Sequence, residues 1–439
     1  MKEVAIIGLW HQGVVGAACM ADYGYDVIAA DHNQDRINKL KVGKAPLFEP
    51  GLNELICKGI DTRRLDFTSD VEKVVIGKKN IMIMYDTPVN DDDQSDLTEL
   101  YNTIDEISKN LENDVIIYIT SQIPVGTCNK IIDKIKENNP KLKFGIAYSP
   151  ENLRLGNAIE LFKNPVLPVI GAESEYIFDR VKTLLSPMKV DWEHVNLNTS
   201  EMTKHALNTY LALSITFGNE LGNLCDEVGA DGHRMAEVLK MEPRIGTKAM
   251  LSPGLGFSGA TLARDIQTLR GLFDQFNLDS LLLDGLIKAN DNQNKLVLRK
   301  LRKIFGSVKG LRIAVMGLTY KPNTSTLRRS AALEIINDII QEGASVSCHD
   351  PKADRDELKN YTDFKFFDDP YKTVVNASAL VLITPWDDYK NLDFERIRKK
   401  MTENAVIVDT SNLWDGDYLE GLGFMYFDIG KGRNVKGKI

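Results

Sequence analysis

The sequence predicts an α/β protein with two doubly wound domains joined by a central helical region. Three observations lead to this prediction. Short apolar runs alternate with helical patterns over the first 170 residues, a long helical stretch with few breakers follows, and the alternation then restarts. The chain has 439 residues, which is enough for two or three domains that each bury a core.

The N-terminal apolar runs have the length and composition of buried strands in a parallel sheet. They are VAIIG at 4–8, DVIAAD at 26–31, NIMIMYD at 80–86, DVIIYIT at 114–120 and VLPVIG at 166–171. From about Ser200 the periodicity becomes helical through Leu239, and it is helical again from Asp265 to Phe305. A long connecting helix of this kind commonly carries a dimer interface, so we expect a homodimer.

The strand pattern returns in the last third of the chain. Its runs are LRIAVMG at 311–317, SVSCHD at 345–350, ALVLITP at 379–385 and AVIVDT at 405–410. We therefore expect an N-terminal Rossmann-like domain over 1–197, a helical connector and dimerisation region over 198–305, and a C-terminal α/β domain over 306–439. Two such domains usually hold a ligand in the cleft between them.

Composition excludes several classes of protein. Hydrophobic residues make up 43% and charged residues 26%, which is typical of a globular chain. The net charge of -8 argues against nucleic-acid binding. Five widely spaced cysteines without a CxxC pair indicate neither a metal site nor a disulfide framework, and they suit a reducing cytoplasm. We expect no export signal and no membrane span, because no segment reaches about 18 consecutive apolar residues.

The first strand ends in a glycine-containing turn that predicts a dinucleotide site. Gly8 and Gly13 frame the turn, and Asp31 ends the second strand about twenty residues later. In this interpretation the helix N-terminus faces pyrophosphate and Asp31 accepts bonds from ribose hydroxyls, which favours NAD over NADP. Trp10 stands at the second glycine of the fingerprint, so the loop must bulge or the phosphate must shift. A turn without a nucleotide stays open as the alternative.

Other polar positions follow strands or share a helix face. The pairs Thr87-Pro88 and Ile123-Pro124 come shortly after strands, where turns bring loops over a cofactor. Lys204 and Asn208 are i,i+4 neighbours, so they either stabilise a developing alkoxide or lie on a solvated face. The segment GFSGATLARD at 256–265 reads as a glycine-rich loop entering a helix.

The order of these motifs resembles the UDP-glucose/GDP-mannose dehydrogenase family, over nearly the whole chain. Members of that family oxidise the C6 hydroxyl of a nucleotide sugar to a carboxylate with two NAD molecules. The motifs that carry the resemblance are FEPGL at 48–52, Thr87-Pro88, PVGT at 124–127, SPENLR at 149–154, Lys204 with Asn208, RIG at 244–246, GFSG at 256–259, GLTYKPNT at 317–324, Arg328 with Ser330, and Asp350-Pro351.

The resemblance implies a role for each matching residue. It implies that Lys204 and Asn208 hold the reacting oxygen, that Asp265 assists a water or the lysine, and that Glu151 belongs to the substrate loop. Arg244 is similar to an arginine that reaches the neighbouring subunit's nucleotide sugar. The remaining implied contacts are Gly8, Trp10, Gly13, Asp31, Thr87, Pro88 and Gln122 for NAD, and Leu153, Arg154, Phe257, Gly259, Lys321 and Arg328 for the nucleotide sugar.

The chain departs from the family pattern at specific positions. The family motif Gly-Phe-Gly-Gly-x-Cys-x-Pro-Lys-Asp has Thr261 in place of its nucleophilic cysteine here. Gln122 and Leu155 replace a threonine and a second glutamate of the family, and Ser411 replaces an arginine. The missing groups serve the second oxidation and hydrolysis, whereas Lys204 and its partners in the first hydride transfer remain. The replaced residues within the segment 256–265 are Ser258, Thr261, Ala263 and Arg264.

We therefore hypothesise an NAD-dependent oxidoreductase that carries out one two-electron step on a nucleotide sugar, with Thr261 as a hydrogen-bonding residue rather than a nucleophile. UDP-hexose is the default substrate, and a transfer followed by its return could support epimerisation. A full four-electron dehydrogenase is one alternative. A catalytically silent nucleotide-sugar binding protein that regulates a polysaccharide pathway is another, favoured by Trp10 and Ser411. The sequence leaves open the sugar, the base and whether a distant cysteine acts.

Overall fold

The structure is a computed structural model that describes residues 3–88, 90 and 95–433. It divides into two compact units, Met1–Leu207 and Asn208–Ile439. The three-part division at residues 197 and 305 stays a prediction.

The first unit is built on an eight-stranded sheet. Its strands lie in the order β3-β2-β1-β4-β5-β6-β7-β8. The chain adds β2 and β3 on one side of β1 and then continues with β4 on the other side, so the topological switch point lies between β1 and β4. Neighbouring strands are parallel, as expected, except for β6 and β7, which pair in antiparallel fashion. The strands are β1 Glu3–Ile7, β2 Asp26–Ala30, β3 Leu65–Thr68, β4 Asn80–Ile83, β5 Val115–Ile119, β6 Phe144–Tyr148, β7 Val169–Ala172 and β8 Glu193–Val195.

Helices cover both faces of this sheet. One core cluster gathers side chains of α1, α3, α6 and α7, and the other gathers those of α4 and α5. All five side chains of β5 are buried, which explains its continuous run of apolar residues. The helices are α1 His11–Asp22, α2 Gln34–Lys41, α3 Leu52–Asp61, α4 Thr98–Ser108, α5 Thr127–Asn138, α6 Ala158–Lys163, α7 Glu175–Leu184 and α8 Leu197–Val228.

The second unit begins within α8 and first adds helices. A small apolar cluster joins the side of α8 to the next helices of this unit. These helices are α9 Gly232–Leu239, α10 Ala260–Gln275, α11 Leu281–Asn294 and α12 Leu296–Phe305.

A six-stranded, wholly parallel sheet completes the second unit, with the strand order β11-β10-β9-β12-β13-β14. The prediction of two doubly wound α/β sheets is confirmed. The elements are β9 Arg312–Met316, α13 Ala331–Gln341, β10 Ser345–His349, α14 Arg355–Leu358, β11 Lys365–Phe366, α15 Pro370–Thr373, β12 Ala379–Leu382, a 3-10 turn Asp387–Tyr389, α16 Phe394–Arg398, β13 Val406–Asp409, α17 Gly416–Gly421 and β14 Met425–Phe427.

Candidate active site

Two glycines shape the turn between β1 and α1. Gly8 has a φ of 91°, and a Cβ atom added there would lie 2.8 Å from the ring of Tyr85. A Cβ atom on Gly13 would lie 1.6 Å from the carbonyl oxygen of Gly8. Only glycine fits at either position, so the backbone turns tightly into the N-terminus of α1. This is the geometry with which βα turns approach a phosphate group.

Asp31 lies directly after β2, at the sheet edge next to this turn. Its carboxylate is 1% exposed and accepts the backbone N–H groups of Leu9 at 2.7 Å and Asn33 at 2.9 Å. Arg36 donates to the same carboxylate from Nη1 at 2.6 Å. Asp31 therefore holds the cofactor turn together, and a ribose hydroxyl would share an acceptor that already has three protein donors.

Trp10 occupies the N-cap position of α1, and its side chain makes no capping hydrogen bond. Desolvation raises the pKa of the Asp86 carboxyl, which follows β4, while the charge of His11 in the first turn of α1 lowers it.

Hydrogen bonds tie the loops after β4 and β5 to each other. Thr87 donates from Oγ1 to the carbonyl of Gln122 at 2.7 Å. Gln12 donates to the carbonyl of Tyr85 at 2.7 Å and accepts from Thr120 at 3.2 Å. The structure therefore brings Thr87 and Gln122 together above the sheet edge, and exposed Pro88 follows Thr87.

A cavity of about 80 Å³, partly open to solvent, lies on the α1 face of this sheet. Its lining is mainly apolar and includes Met84 and Phe162, while Gln12, Thr120 and Glu151 are among its polar groups. Apolar walls with a few convergent polar groups are typical of a small-molecule site.

Lys204 contacts Asn152, one of the residues that line this cavity. Its ammonium group, on a side chain that is almost fully buried, donates to Oδ1 of Asn152 at 3.4 Å. Burial raises the pKa of the Glu151 carboxyl, and nearby Lys204 opposes this rise. Glu151 also accepts the N–H of Leu153, so the segment from Glu151 to Leu153 is folded around its own carboxylate. Arg154 follows on the exposed side of the loop.

Asn208 is one helical turn beyond Lys204 on α8. Its side-chain amide donates to the carboxylate of Asp265 on α10, and both residues are buried. A buried amide that holds a carboxylate in place leaves that carboxylate able to accept a further hydrogen bond or a proton.

The glycine-rich loop before α10 is held by its backbone and by Asn290 of α11. Phe257 exchanges two hydrogen bonds with Asn290, at 2.8 and 3.1 Å. Gly259, with a φ of 81°, is the N-cap of α10 and donates its N–H to the carbonyl of Arg329 at 3.2 Å. Thr261 stands in the first turn of α10 and is exposed. The loop therefore presents a hydroxyl where the family pattern has a thiol.

The five cysteines, all within the described residues, lie elsewhere. Burial raises the pKa of the Cys19 thiol to about 12, and it also raises the pKa values of Cys128, Cys225 and Cys348. Cys57 is exposed on α3 in the first unit. Four thiols are thus unsuited to act as thiolates at neutral pH.

The C-terminal site residues fall into two groups. The ammonium of Lys321 lies 5.3 Å above the ring of Tyr320, and a Cβ atom on Gly259 would touch that same ring at 3.5 Å. Arg328, seven residues after Lys321, is exposed. Its backbone N–H donates to the hydroxyl of Thr326. Arg244 stands apart, with an 87% exposed side chain that pairs with Glu242.

Comparison with known proteins accounts for this arrangement. Residues 2–189 match the NAD binding domain of the UDP-glucose/GDP-mannose dehydrogenase family, 198–292 match its central domain and 314–416 match its UDP binding domain. The chain belongs to this family. It is an NAD-dependent oxidoreductase of the kind that acts on a CH–OH group of a nucleotide sugar.

Relatives of the dehydrogenase align from end to end. A UDP-glucose 6-dehydrogenase of Rhizobium meliloti is 33% identical over 436 residues, covering 98% of this chain and 99% of the relative. The solved structure of a UDP-glucose dehydrogenase from Pyrobaculum islandicum superposes with a TM-score of 0.85 at 26% identity, covering 97% of each chain. A UDP-D-ManNAc dehydrogenase from Pyrococcus horikoshii superposes with a TM-score of 0.83 at 25% identity, covering 98% of this chain and 99% of the other.

The residues of this dehydrogenase fit NAD. The turn from Gly8 to Gly13 has no room for side chains at the two glycines, and Asp31 stands at the end of β2 beside it. Thr87 and Gln122 continue the same edge of the sheet. These residues would hold the cofactor, whose nicotinamide accepts a hydride when it is bound.

Several residues next to the predicted site residues were not identified from the sequence of this family member. Arg36 and Asp86 lie beside predicted residues but belong to no motif that singles them out. Asn152 belongs to the SPENLR segment, but its hydrogen bond with Lys204 was not predicted. Arg36 could have been suspected, because a cation five positions after the Asp of a dinucleotide fold lies in the next helix, near the ribose.

A membrane-spanning helix is not found among residues 3–88, 90 and 95–433 of this dehydrogenase. The same residues contain no group of three or more His, Cys, Asp or Glu side chains arranged to hold a metal ion.

Proposed function

We propose that the dehydrogenase oxidises one hydroxyl of a UDP-hexose by a single hydride transfer, giving an aldehyde or ketone, NADH and a proton. The observation that carries the proposal is Thr261, an exposed hydroxyl in the first turn of α10. A threonine hydroxyl ionises far less readily than a thiol, so it would seldom attack an aldehyde.

The groups needed for the hydride transfer support the proposal. Lys204 places a buried ammonium beside Asn152, where it would stabilise the oxygen of the reacting hydroxyl as its proton leaves. Asn208, one helical turn further along α8, supplies an amide, and Asp265 of α10, to which this amide donates, supplies a carboxylate. Glu151, with its raised pKa and its position beside Lys204, would receive the proton.

The carbonyl product would then leave without a covalent bond to the chain. The family route to a uronate needs a thiolate nucleophile, and four of the five thiols are buried with raised pKa values. Cys57 is exposed on α3, apart from the GFSG loop in the sequence. Leu155, exposed at the end of the substrate loop, supplies no carboxylate for hydrolysis.

A four-electron oxidation is the second candidate, since relatives aligned over 98% of this chain are named UDP-glucose 6-dehydrogenases. Mass spectrometry of the product separates the two candidates. With NAD and a panel of UDP-hexoses we expect a product two mass units lighter than its substrate. A uronate as the product would support the four-electron candidate. Binding of NAD and sugar without any turnover would support the silent binding protein.

The dehydrogenase is also proposed to form a homodimer in the cytoplasm. Tyr210, Phe217 and Leu224 recur every seven residues on α8 and are 64%, 52% and 57% exposed. Such a stripe is the pattern of a helix that packs against a second copy. Arg244 would then contact the partner's nucleotide sugar, which accounts for its nearly complete exposure. The five free cysteines suit a reducing compartment.

A further inference from the structure

Trp10 is unusual both for its position and for its exposure. It stands where a dinucleotide fingerprint has its second glycine, directly before α1. The chain has four tryptophans, of which Trp386 and Trp414 are buried and Trp192 is half-buried. Trp10 is 40% exposed, so a large aromatic surface faces solvent at the cofactor turn.

Arg36 covers part of the Trp10 ring. Its guanidinium carbon lies 4.9 Å from the ring centroid, within the range of a cation–π contact. The same guanidinium donates to Asp31 at 2.6 Å, and the Arg36 side chain is 22% exposed. The backbone N–H of Arg36 also bonds to Asn33 at 2.9 Å, which fixes the start of α2. Arg36 is therefore held between an indole face and a carboxylate.

The surroundings of this pair are acidic. Burial raises the pKa of Glu99, and the nearby charge of Asp31 adds to this rise. Glu106 lies farther along α4 and pairs with His32 at 2.7 Å. A phosphate on the ribose 2′ position would meet these carboxylates, while the cation that could balance it is already paired with Asp31.

We propose that Trp10 and Arg36 form a ledge that binds the adenosine end of the cofactor and favours NAD over NADP. The exposed indole surface takes the adenine ring by stacking. The indole also keeps Arg36 on Asp31, so the guanidinium does not turn to a 2′-phosphate, which is its usual role in NADP-binding sites.

The ledge also explains how the turn tolerates the loss of its second glycine. Trp10 stands where the fingerprint has the glycine that lets the backbone approach the pyrophosphate, so that approach is less close here. Stacking at the adenosine end supplies binding free energy that the pyrophosphate end lacks. The proposal requires NAD as the cofactor and is independent of whether one or two hydrides are transferred.

The test is a binding titration of the whole enzyme, followed by intrinsic fluorescence and by calorimetry. AMP is expected to quench tryptophan emission in the wild type, whereas nicotinamide mononucleotide is expected to leave it unchanged. The AMP response is expected to vanish in Trp10→Phe.

Trp10→Gly, which restores the glycine, is expected to bind NAD about tenfold more weakly, as loss of one stacked base implies. Its preference for NAD over NADP is expected to fall by about tenfold as Arg36 is released. Trp10→Phe keeps an aromatic face and is expected to retain most of the affinity.

Two results would overturn the proposal. One is a Trp10→Gly variant that binds NAD as tightly as the wild type or more tightly, which would make the indole an obstruction. The other is quenching by nicotinamide mononucleotide and not by AMP, which would place the indole at the other end of the cofactor. Thermal unfolding and circular dichroism of each variant show whether it folds, and the AMP response of the wild type tests the proposal without any variant.

Discussion

At the scale of single residues, the proposed single oxidation depends on Thr261. Its side chain is exposed in the first turn of α10, whereas Asp265, one turn later, is buried against Asn208. The two residues therefore differ in role, because Asp265 is fixed within the site and Thr261 offers only a hydroxyl.

Replacement of Thr261 by Ala tests this difference. We expect Thr261→Ala to lower kcat/KM by no more than about tenfold, the effect of losing one neutral hydrogen bond. Asp265→Asn, in contrast, should lower it by about 100-fold or more, since it removes a proton acceptor. Steady-state rates of NADH formation give both values. Thr268→Ala on the same helix is the matched control, and a loss of activity in Thr261→Ala as large as that in Asp265→Asn would make Thr261 a nucleophile.

Glu151 should set the acidic limb of the pH profile. Burial raises its pKa, and the carboxylate accepts a proton only when it is ionised. The rate therefore falls as the pH drops through this raised pKa, at a higher pH than for an ordinary glutamate. We expect Glu151→Gln to lower kcat/KM and to remove that limb, while Glu160→Gln, an exposed change on α6, should leave the profile unaltered. An unchanged acidic limb in Glu151→Gln would assign the proton to another group.

At the scale of secondary-structure elements, α8 connects the loop after β5 with Lys204, the proposed catalytic lysine. Glu201 in the first turns of α8 is buried and accepts the N–H groups of Gly126 at 2.6 Å and Cys128 at 2.8 Å. It thereby caps α5, which follows the Gln122 loop, and it lies one turn before Lys204.

Loss of the hydrogen bonds between Glu201 and the start of α5 should lower the stability of the protein measurably. We expect Glu201→Gln to lower the free energy of unfolding by about 1–3 kcal/mol, because an amide cannot accept both N–H groups as the carboxylate does. Urea unfolding measures the difference. Glu193→Gln, an exposed change on β8, serves as the control, and equal stability of the two variants would show that the cap contributes nothing.

The exposed stripe on α8 is the proposed dimer contact. Phe217→Glu places a charge at its centre, so we expect the dimer to dissociate at micromolar concentration. Light scattering on a sizing column would then show half the wild-type mass. Glu220→Lys changes a charge on the same helix and should keep the wild-type mass. A Phe217→Glu variant that retains the wild-type mass would move the interface elsewhere.

At the scale of the whole molecule, the turn after the first strand recurs in the second sheet. Gly317 has a φ of 88°, and Leu318 donates its N–H to Asp350 at 2.7 Å, as Leu9 does to Asp31. Asp350 also accepts from Thr319 and from the indole of Trp386, both at 3.1 Å. The C-terminal carboxylate is thus saturated by protein donors, which suits a structural role rather than ribose binding.

Much of this architecture follows from the sequence, and the reasons for the exceptions are physical. Long buried strands such as β5 can be predicted from the sequence, because a strand covered on both faces is continuously apolar. Short or mixed strands such as β3 at Leu65–Thr68 and β8 at Glu193–Val195 carry too few apolar residues to stand out. The antiparallel pairing of β6 with β7 depends on a connection whose direction no local pattern encodes.

The candidate site likewise combines residues that the sequence predicted with contacts that it did not. Motif residues such as Lys204 and Glu151 were predicted from the sequence through their family pattern. The effect of Lys204 on the pKa of Glu151 was not, because it arises between positions 53 apart in the chain. The stack of Arg36 on Trp10 and the hydrogen bond from Lys204 to Asn152 likewise depend on tertiary packing.

The central claim, a single hydride transfer, is tested most directly by the ratio of NADH formed to nucleotide sugar consumed, measured at completion with NAD in excess and the aldehyde or ketone product trapped. The account predicts one NADH per sugar and a carbonyl product. Two NADH per sugar with a uronate as the product would contradict it.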